Sequence, residues 1–363
     1  MGLRVLVVDD TVVFRRAISD ALACEPGIHV VGTAANGRLA ITSIEALRPD
    51  LITLDIEMPE MNGLQVLEAI TGSSLQTGVI VLSSLSTRGR EMTLRALELG
   101  AFDFVPKPEG ARGAETVSLL RSTLLPSIRA FERRHEIRTI LQIASRSPAI
   151  KPIFTPGICP GPRCETLHPV PPLVLIAVST GGPIALSRVL PGLPADLGAP
   201  VFIVQHMPAV FTESLALNLA AKCAIRVKQA ADGDPALPNY AYIAPGGMQM
   251  KLSAGACNEI VIRITDDPPE NNCRPSADYL FRSAAHHFPG RAVAVILTGM
   301  GNDGTAGLRM LKRRGCFAIA QDEASCVVFG MPKEAIAAGL VDTIQPLSNI
   351  ATSIVSAVRG CRS

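Results

Sequence analysis

The chain has 363 residues, 48% of them hydrophobic, which is enough for two domains that each bury a core of their own. A formal net charge of +2 makes no case for nucleic acid or an anionic membrane surface as the main partner. No apolar run approaches the roughly 18 residues of a membrane span, so membrane insertion is not expected.

The N-terminus, Met1-Gly-Leu-Arg-Val-Leu-Val-Val-Asp-Asp10, turns acidic too soon for a secretory signal and reads as a first strand. Nine cysteines, an odd number scattered through a large chain, read as reduced thiols, and the expected location is cytoplasmic. The apolar runs Leu3–Val8, Val30–Ala34, Leu51–Asp55, Val79–Ser83 and Phe102–Val105 then predict five strands with helices between them. In such sheets ligands gather beyond the carboxyl ends of the strands. Asp9 and Asp10 follow the first run, Asp55 ends the third, Ser83 ends the fourth and Lys107 follows the fifth. Carboxylates that converge repel unless a cation joins them, and hard oxygen donors with open water positions suit Mg²⁺. A carboxylate beside that cation, a Lys and a hydroxyl is suited to accept a phosphoryl group.

Residues 3 to about 125 resemble the response-regulator receiver domain. The resemblance runs through Val8-Asp-Asp10, Asp55-Ile-Glu-Met-Pro-Glu-Met-Asn-Gly63, Ser83-Ser84 and Lys107-Pro108. It implies Asp55 as phosphoacceptor and Asp9 and Asp10 as Mg²⁺ ligands beside it. It also implies Ser83 as the switch hydroxyl, Phe104 as the switch aromatic and Lys107 as the phosphate-sensing cation.

The helical stretch Val117–Ile143 leads out of this unit, and its basic run Arg129–Arg138 reads as a solvated face. Eight prolines then fall between Ser147 and Leu173, too dense a cluster for helix or inner strand. Cys159, Cys164 and His168 lie there without a clear fourth ligand, so the segment reads as linker rather than metal site. The expected limits are 1–125, 126–172 for the helical extension and Pro-rich linker, and 173–363 for a second α/β unit.

In that unit three apolar runs each end on a polar group. Leu173–Val178 precedes Ser179, Val201–Gln205 precedes His206, and Ala292–Leu297 precedes Thr298-Gly-Met-Gly-Asn-Asp-Gly304, which carries Asp303. Serine is a weak nucleophile without a base in hydrogen-bond reach, imidazole is the side chain with a pKa near neutrality, and a carboxylate holds its tautomer. The three predict a Ser-His-Asp hydrolase. Ala177-Val-Ser-Thr-Gly181 has the small residues of a tight strand-to-helix turn, and Pro183 suits the first turn of a helix over Ile184–Leu190. The chain order Ser, His, Asp separates it from the α/β-hydrolases, which run Ser, Asp, His.

Residues 173–360 resemble the catalytic domain of the chemotaxis protein-glutamate methylesterases (CheB-type). The matching stretches are Ser179-Thr-Gly-Gly-Pro183, Gln205-His-Met-Pro208, Tyr242-Ile-Ala-Pro-Gly-Gly247, Arg274-Pro-Ser-Ala-Asp278, Leu297-Thr-Gly-Met-Gly-Asn-Asp-Gly304 and Phe329-Gly-Met-Pro332. The fold expected for the whole is therefore α/β. It comprises two doubly wound parallel-sheet domains, a flavodoxin-like receiver and a Rossmann-like methylesterase domain, joined by a Pro-rich linker. The resemblance implies a triad of Ser179, His206 and Asp303, with the main-chain N–H of Met300 in the oxyanion hole and Thr180 nearby. It implies demethylation of glutamate methyl esters, and deamidation of selected glutamines, on methyl-accepting chemotaxis receptors. A chemotaxis histidine kinase would be the phosphodonor, and ester hydrolysis itself would need no cofactor. Gln249 and Cys273 stand where the family often carries His. Neither is a triad position, so the expectation is that they bear on the substrate groove. Two other readings stay open: a phosphorylation-controlled adaptor, and an esterase in a non-chemotaxis receptor pathway. A further expectation is that the unphosphorylated receiver covers the strand-end edge of the catalytic domain.

Overall fold

The computed structural model describes residues 2–72, 77–110, 113–144, 172–255 and 259–360, with residues 137–144 as backbone alone. The Pro-rich segment with Cys159, Cys164 and His168 lies outside the described residues.

The N-terminal unit alternates strand and helix: β1 (Leu3–Val8), α1 (Val12–Ala23), β2 (Ile28–Ala34), α2 (Gly37–Leu47), β3 (Leu51–Asp55) and α3 (Gly63–Thr71). It continues through β4 (Gly78–Ser83), α4 (Thr87–Glu98), β5 (Asp103–Pro106) and the 31-residue α5 (Ala114–Ala144). The sheet is parallel throughout, in the order β2-β1-β3-β4-β5. That is the flavodoxin-like order, whose direction of winding reverses between β1 and β3. The strands are apolar on both faces because helices cover both, and β3 is buried along its whole length. Side chains start the helices where the sequence supplies them. Asn36 caps α2, Asn62 and Gln65 form a reciprocal box on α3, and Ser86 caps α4. Helix α5 runs on past residue 125 through Pro126, and its basic stretch is only partly solvated. Phe131 is buried there, and Arg129 pairs with Glu132.

The second unit begins with β6 (Leu173–Val178), α6 (Gly182–Val189), β7 (Val201–Gln205), α7 (Ala209–Ala220), β8 (Arg226–Gln229) and β9 (Tyr240–Ile243). A hairpin, β10 (Gln249–Ala254) with β11 (Ile260–Thr265), precedes α8 (Ala277–His287), β12 (Ala292–Ile296) and α9 (Thr305–Lys312). The unit closes with β13 (Phe317–Gln321), α10 (Met331–Ala337), β14 (Thr343–Gln345) and α11 (Leu347–Gly360). Seven parallel strands form one sheet in the order β14-β13-β12-β6-β7-β9-β8. The antiparallel hairpin stands apart and packs on α8, a feature the apolar-run pattern did not single out. Strand β6, first in the chain, lies between β12 and β7, so the winding reverses at its carboxyl end and opens a crevice there.

The two units pack against each other. Leu94 of α4 is buried in the catalytic unit's core with Leu85 and Phe104 beside it, while Val327 and Val328 pack against the receiver's core. Among the described residues, no helix is long and apolar enough to cross a membrane.

Candidate active site and phosphoacceptor pocket

Ser179, His206 and Asp303 follow β6, β7 and β12, three neighbouring strands at the centre of the sheet. The turn after β6 is tight. Gly182 N–H donates to the Ser179 carbonyl at 2.8 Å, and Gly181 between them has φ +77°. A Cβ at Gly181 would also overlap the Val327 side chain, so both conformation and space require glycine. Gln205, 2% exposed, donates its Nε2 hydrogens to the carbonyls of Ser179 and His206, each at 3.0 Å. One buried amide thus fixes the nucleophile's turn against the base's turn.

His206 Nε2 lies 2.8 Å from Asp303 Oδ2. Asp303 is 2% exposed and accepts four further hydrogen bonds. They come from the N–H groups of Ala277 and Asp278, Ser276 Oγ and Asn271 Nδ2. The carboxylate therefore sits on the amino end of α8, where the helix favours negative charge. Burial alone would push this carboxyl up, but His206 and the α8 donors hold it at about 2. Burial works to lower the His206 pKa, yet Asp303 and Cys273 raise it to about 9. In this arrangement the imidazole is protonated near neutral pH.

Ser179 and His206 line the same cavity, of about 210 Å³, although among the described residues no hydrogen bond joins Ser179 Oγ to the ring. With Nε2 engaged by Asp303, the nitrogen that remains for the serine is Nδ1, and Cys273 Sγ stands 3.8 Å from it. Asp303 and His206 are thus brought into contact, and Ser179 shares a cavity with His206 without bonding the ring. Gly299 packs so closely that a Cβ there would stand 2.8 Å from Ser179 Cβ. Among the described residues no hydrogen bond from the N–H groups of Thr180 or Met300 is seen.

Gln249 and Cys273, the two departures from the family pattern, lie close to the His206–Asp303 pair. Gln249 is fully buried; its Oε1 accepts the Ser276 N–H at 2.9 Å, and Ser276 Oγ in turn donates to Asp303. Cys273 touches the imidazole itself. Both belong to the network around His206 and Asp303. Sequence reasoning gave no role to Gln205, Asn271 or Ser276. Signals existed for Ser276, as a helix-capping residue inside the quoted Arg274-Pro-Ser-Ala-Asp278 stretch, and for Gln205, which opens the quoted Gln205-His-Met-Pro208 stretch.

In the N-terminal unit, Asp9 and Asp55 are buried, and Lys107 Nζ bridges their Oδ2 atoms at 2.7 and 2.8 Å. Asp10, exposed, completes a group in which one oxygen from each carboxylate lies within 4.8 Å of the other two. Three hard carboxylate donors, one open to water, suit an ion such as Mg²⁺. Burial and neighbouring Asp9 push the Asp55 carboxyl up to about 6 despite Lys107. Ser83 is turned away from this pocket: its hydroxyl donates to the Ser84 and Gly89 carbonyls and accepts from Thr93 Oγ1. Phe104 points outward, its ring 4.6 Å from that of Phe211 on α7.

Receiver residues roof the catalytic cavity. Leu97, Asp103, Phe104 and Pro106 line it opposite Ser179, Thr180 and His206, with Thr123 and Ser127 of α5 alongside. Asp103 accepts from Ser127 Oγ at 2.7 Å, and burial pushes its carboxyl up to about 6. At the edge, Glu98 of α4 pairs with Lys222 just beyond α7.

With this geometry in place, comparison with known proteins is direct. A family model described as CheB methylesterase matches residues 174–354, and one described as response regulator receiver domain matches residues 5–116. The protein-glutamate methylesterase/protein-glutamine glutaminase of Desulfotalea psychrophila is 48% identical over 99% of both chains. The protein of the same description from Bacillus subtilis is 44% identical over 98% of this chain and 99% of its own. Among solved structures, the CheB methylesterase catalytic domain of Thermotoga maritima is 40% identical, with a TM-score of 0.51. It covers 52% of this chain and 98% of its own.

Proposed function

This chain belongs to the two-domain CheB methylesterases, and from that membership we propose that it is a phosphorylation-regulated serine hydrolase acting on chemotaxis receptors. Its substrates are glutamate methyl esters, which it hydrolyses with release of methanol, and selected glutamines, which it deamidates. The observation that carries the reading is the His206–Asp303 pair, seated on the start of α8 and facing the cavity that Ser179 lines.

In the reaction, His206 takes the Ser179 proton through Nδ1 while Asp303 holds Nε2–H and stabilises the imidazolium. Ser179 attacks the ester carbonyl, the Met300 and Thr180 amides meet the oxyanion, methanol leaves, and water hydrolyses the acyl-enzyme. An amide carbonyl fits the same hole, which accounts for deamidation. This division of labour makes residues 1–125 the regulator and 173–363 the catalyst, with 126–172 as extension and tether.

Regulation proceeds from Asp55, the phosphoacceptor, with a chemotaxis histidine kinase as donor. Asp9, Asp10 and Asp55 would hold Mg²⁺, which supplies charge neutralisation for the phosphoryl group. Lys107, now shared between Asp9 and Asp55, turns to the new phosphate oxygens. Ser83 leaves Gly89 and Thr93 to join it, and Phe104 withdraws from Phe211. Shifting a closed-to-open ratio from 99:1 to 1:99 takes about 5.5 kcal/mol. One or two new charge-assisted bonds supply only part of that, so phosphorylation activates incompletely.

The test is methanol release from methylated receptor, with and without acetyl phosphate. Wild type releases methanol faster with the phosphodonor, whereas Ser179→Ala loses about a million-fold in turnover. Methanol release that survives in Ser179→Ala removes the mechanism, and folded protein that releases none from any receptor supports an adaptor instead. Activity confined to small esters supports the non-chemotaxis esterase.

A further inference from the structure

The catalytic imidazole has a second neighbour besides its carboxylate. Cys273 Sγ lies 3.8 Å from His206 Nδ1, while Asp303 Oδ2 holds Nε2 on the far side of the ring at 2.8 Å. We infer that Cys273 and His206 form a binding site for a thiophilic divalent cation of the Zn²⁺ class, and that its occupancy silences the esterase.

Two ligands of one tetrahedral zinc, with bonds of about 2.3 Å to sulfur and about 2.0 Å to nitrogen, stand about 3.6 Å apart. The Cys273–His206 pair needs to close by only a few tenths of an ångström. Asp303 on the opposite nitrogen completes a carboxylate–histidine–metal arrangement, which fixes the tautomer and strengthens the imidazole as a ligand. One ligand atom from each of His206, Cys273 and Asp303 falls within 4.8 Å of the other two. Cys273 is half-buried, and water fills the remaining positions.

The exchange balances without redox chemistry. The cation displaces the thiol proton and any proton on Nδ1, and both pass to solvent. Once bound, it occupies the lone pair that would take the Ser179 proton. Thiolate and imidazole select a borderline-soft ion, whereas Mg²⁺ prefers the all-carboxylate pocket at Asp9, Asp10 and Asp55. The two cations therefore address different ends of the molecule.

Metal binding stands on the Cys273–His206 geometry alone; the silencing rests on the triad reading of His206. Both are tested on the full chain, with Co²⁺ as the spectroscopic probe and Zn²⁺ as the inhibitor. Wild type should show a near-ultraviolet thiolate-to-Co²⁺ charge-transfer band that Zn²⁺ displaces. Micromolar Zn²⁺ should stop methanol release, and a chelator should restore it. In Cys273→Ala, and in the better-packed Cys273→Ser, the band should vanish. Half-inhibition of each variant's own residual activity should then need at least tenfold more Zn²⁺. A band that persists in both variants assigns the metal to other thiols and overturns the site. A band lost in both, with wild-type hydrolysis indifferent to Zn²⁺, keeps the site and overturns the silencing, and with it the role given to His206.

Discussion

Replacing Phe104 by Ala should activate the unphosphorylated chain without any phosphodonor. The Phe104 ring is half-buried and meets Phe211 across the domain boundary, with centroids 4.6 Å apart and planes tilted by 54°. Burying a whole Phe side chain contributes about 1.5–3 kcal/mol, so half of one contributes about 1. The ring pair adds about 0.5–1.5 kcal/mol, which brings the expected loss of docking to about 2 kcal/mol. From a closed-to-open ratio of about 99:1, that loss divides the ratio by roughly 30. About one chain in four or five would then be open, and basal methanol release should rise about 20-fold. The assay is methanol release by the unphosphorylated chain, with a Leu173–Ser363 fragment defining the fully uncovered rate. A basal rate within twofold of wild type, in a variant with an unchanged thermal transition, would refute the idea that this ring helps hold the lid.

Three further outcomes follow from the same geometry. Glu98→Lys places two ammonium groups where Glu98 now pairs with Lys222. It should raise the basal rate severalfold at low salt, with the gain fading as ionic strength screens the repulsion. Asp303→Asn should lower turnover about ten-thousand-fold, because the wrong tautomer of His206 is then held; steady-state methanol release reads this directly. The third concerns pH. The folded-state pKa of His206 stands at about 9, above its ordinary 6.5. The raised His206 pKa therefore contributes stability that is full below pH 6.5 and lost as pH rises through 9. Only the neutral ring accepts the serine proton, so kcat/KM of the unphosphorylated chain should climb over that interval while the melting temperature falls. A flat kcat/KM between pH 6.5 and 9 would contradict the assigned base.

The two sheets and their acting ends were legible because each depends on short-range pattern. An unbroken apolar run such as Leu173–Val178 announces a strand buried on both faces, and the polar residue that ends it is placed by the sheet itself. Hence Ser179, His206 and Asp303, and separately Asp9, Asp55 and Lys107, arrive where strand ends arrive. What surrounds Asp303 was not legible in the same way. Its donors come from residues 271–278, about 30 positions earlier, and three of them are an exposed-looking Asn and two backbone amides that leave no mark in a residue pattern. Gln205 was hidden differently. As the last residue of an apolar run it looks like a polar terminus, yet it is buried and bonds two carbonyls from separate loops. Cys273 was visible as a departure from the family pattern, but its distance from the imidazole is a tertiary fact. The hairpin of β10 and β11 carries Lys251, Ser253 and Arg263 among its apolar residues, and such mixed runs read weakly beside the sheet strands.

Helix α7 begins three residues after His206, and the receiver grips this helix at both ends, through Phe211 and through Lys222 just past its last turn. The regulator thus holds a handle whose shaft is joined to the imidazole. The contacts that cover the cavity are thus made to the helix that follows the imidazole, so cover and base share one element.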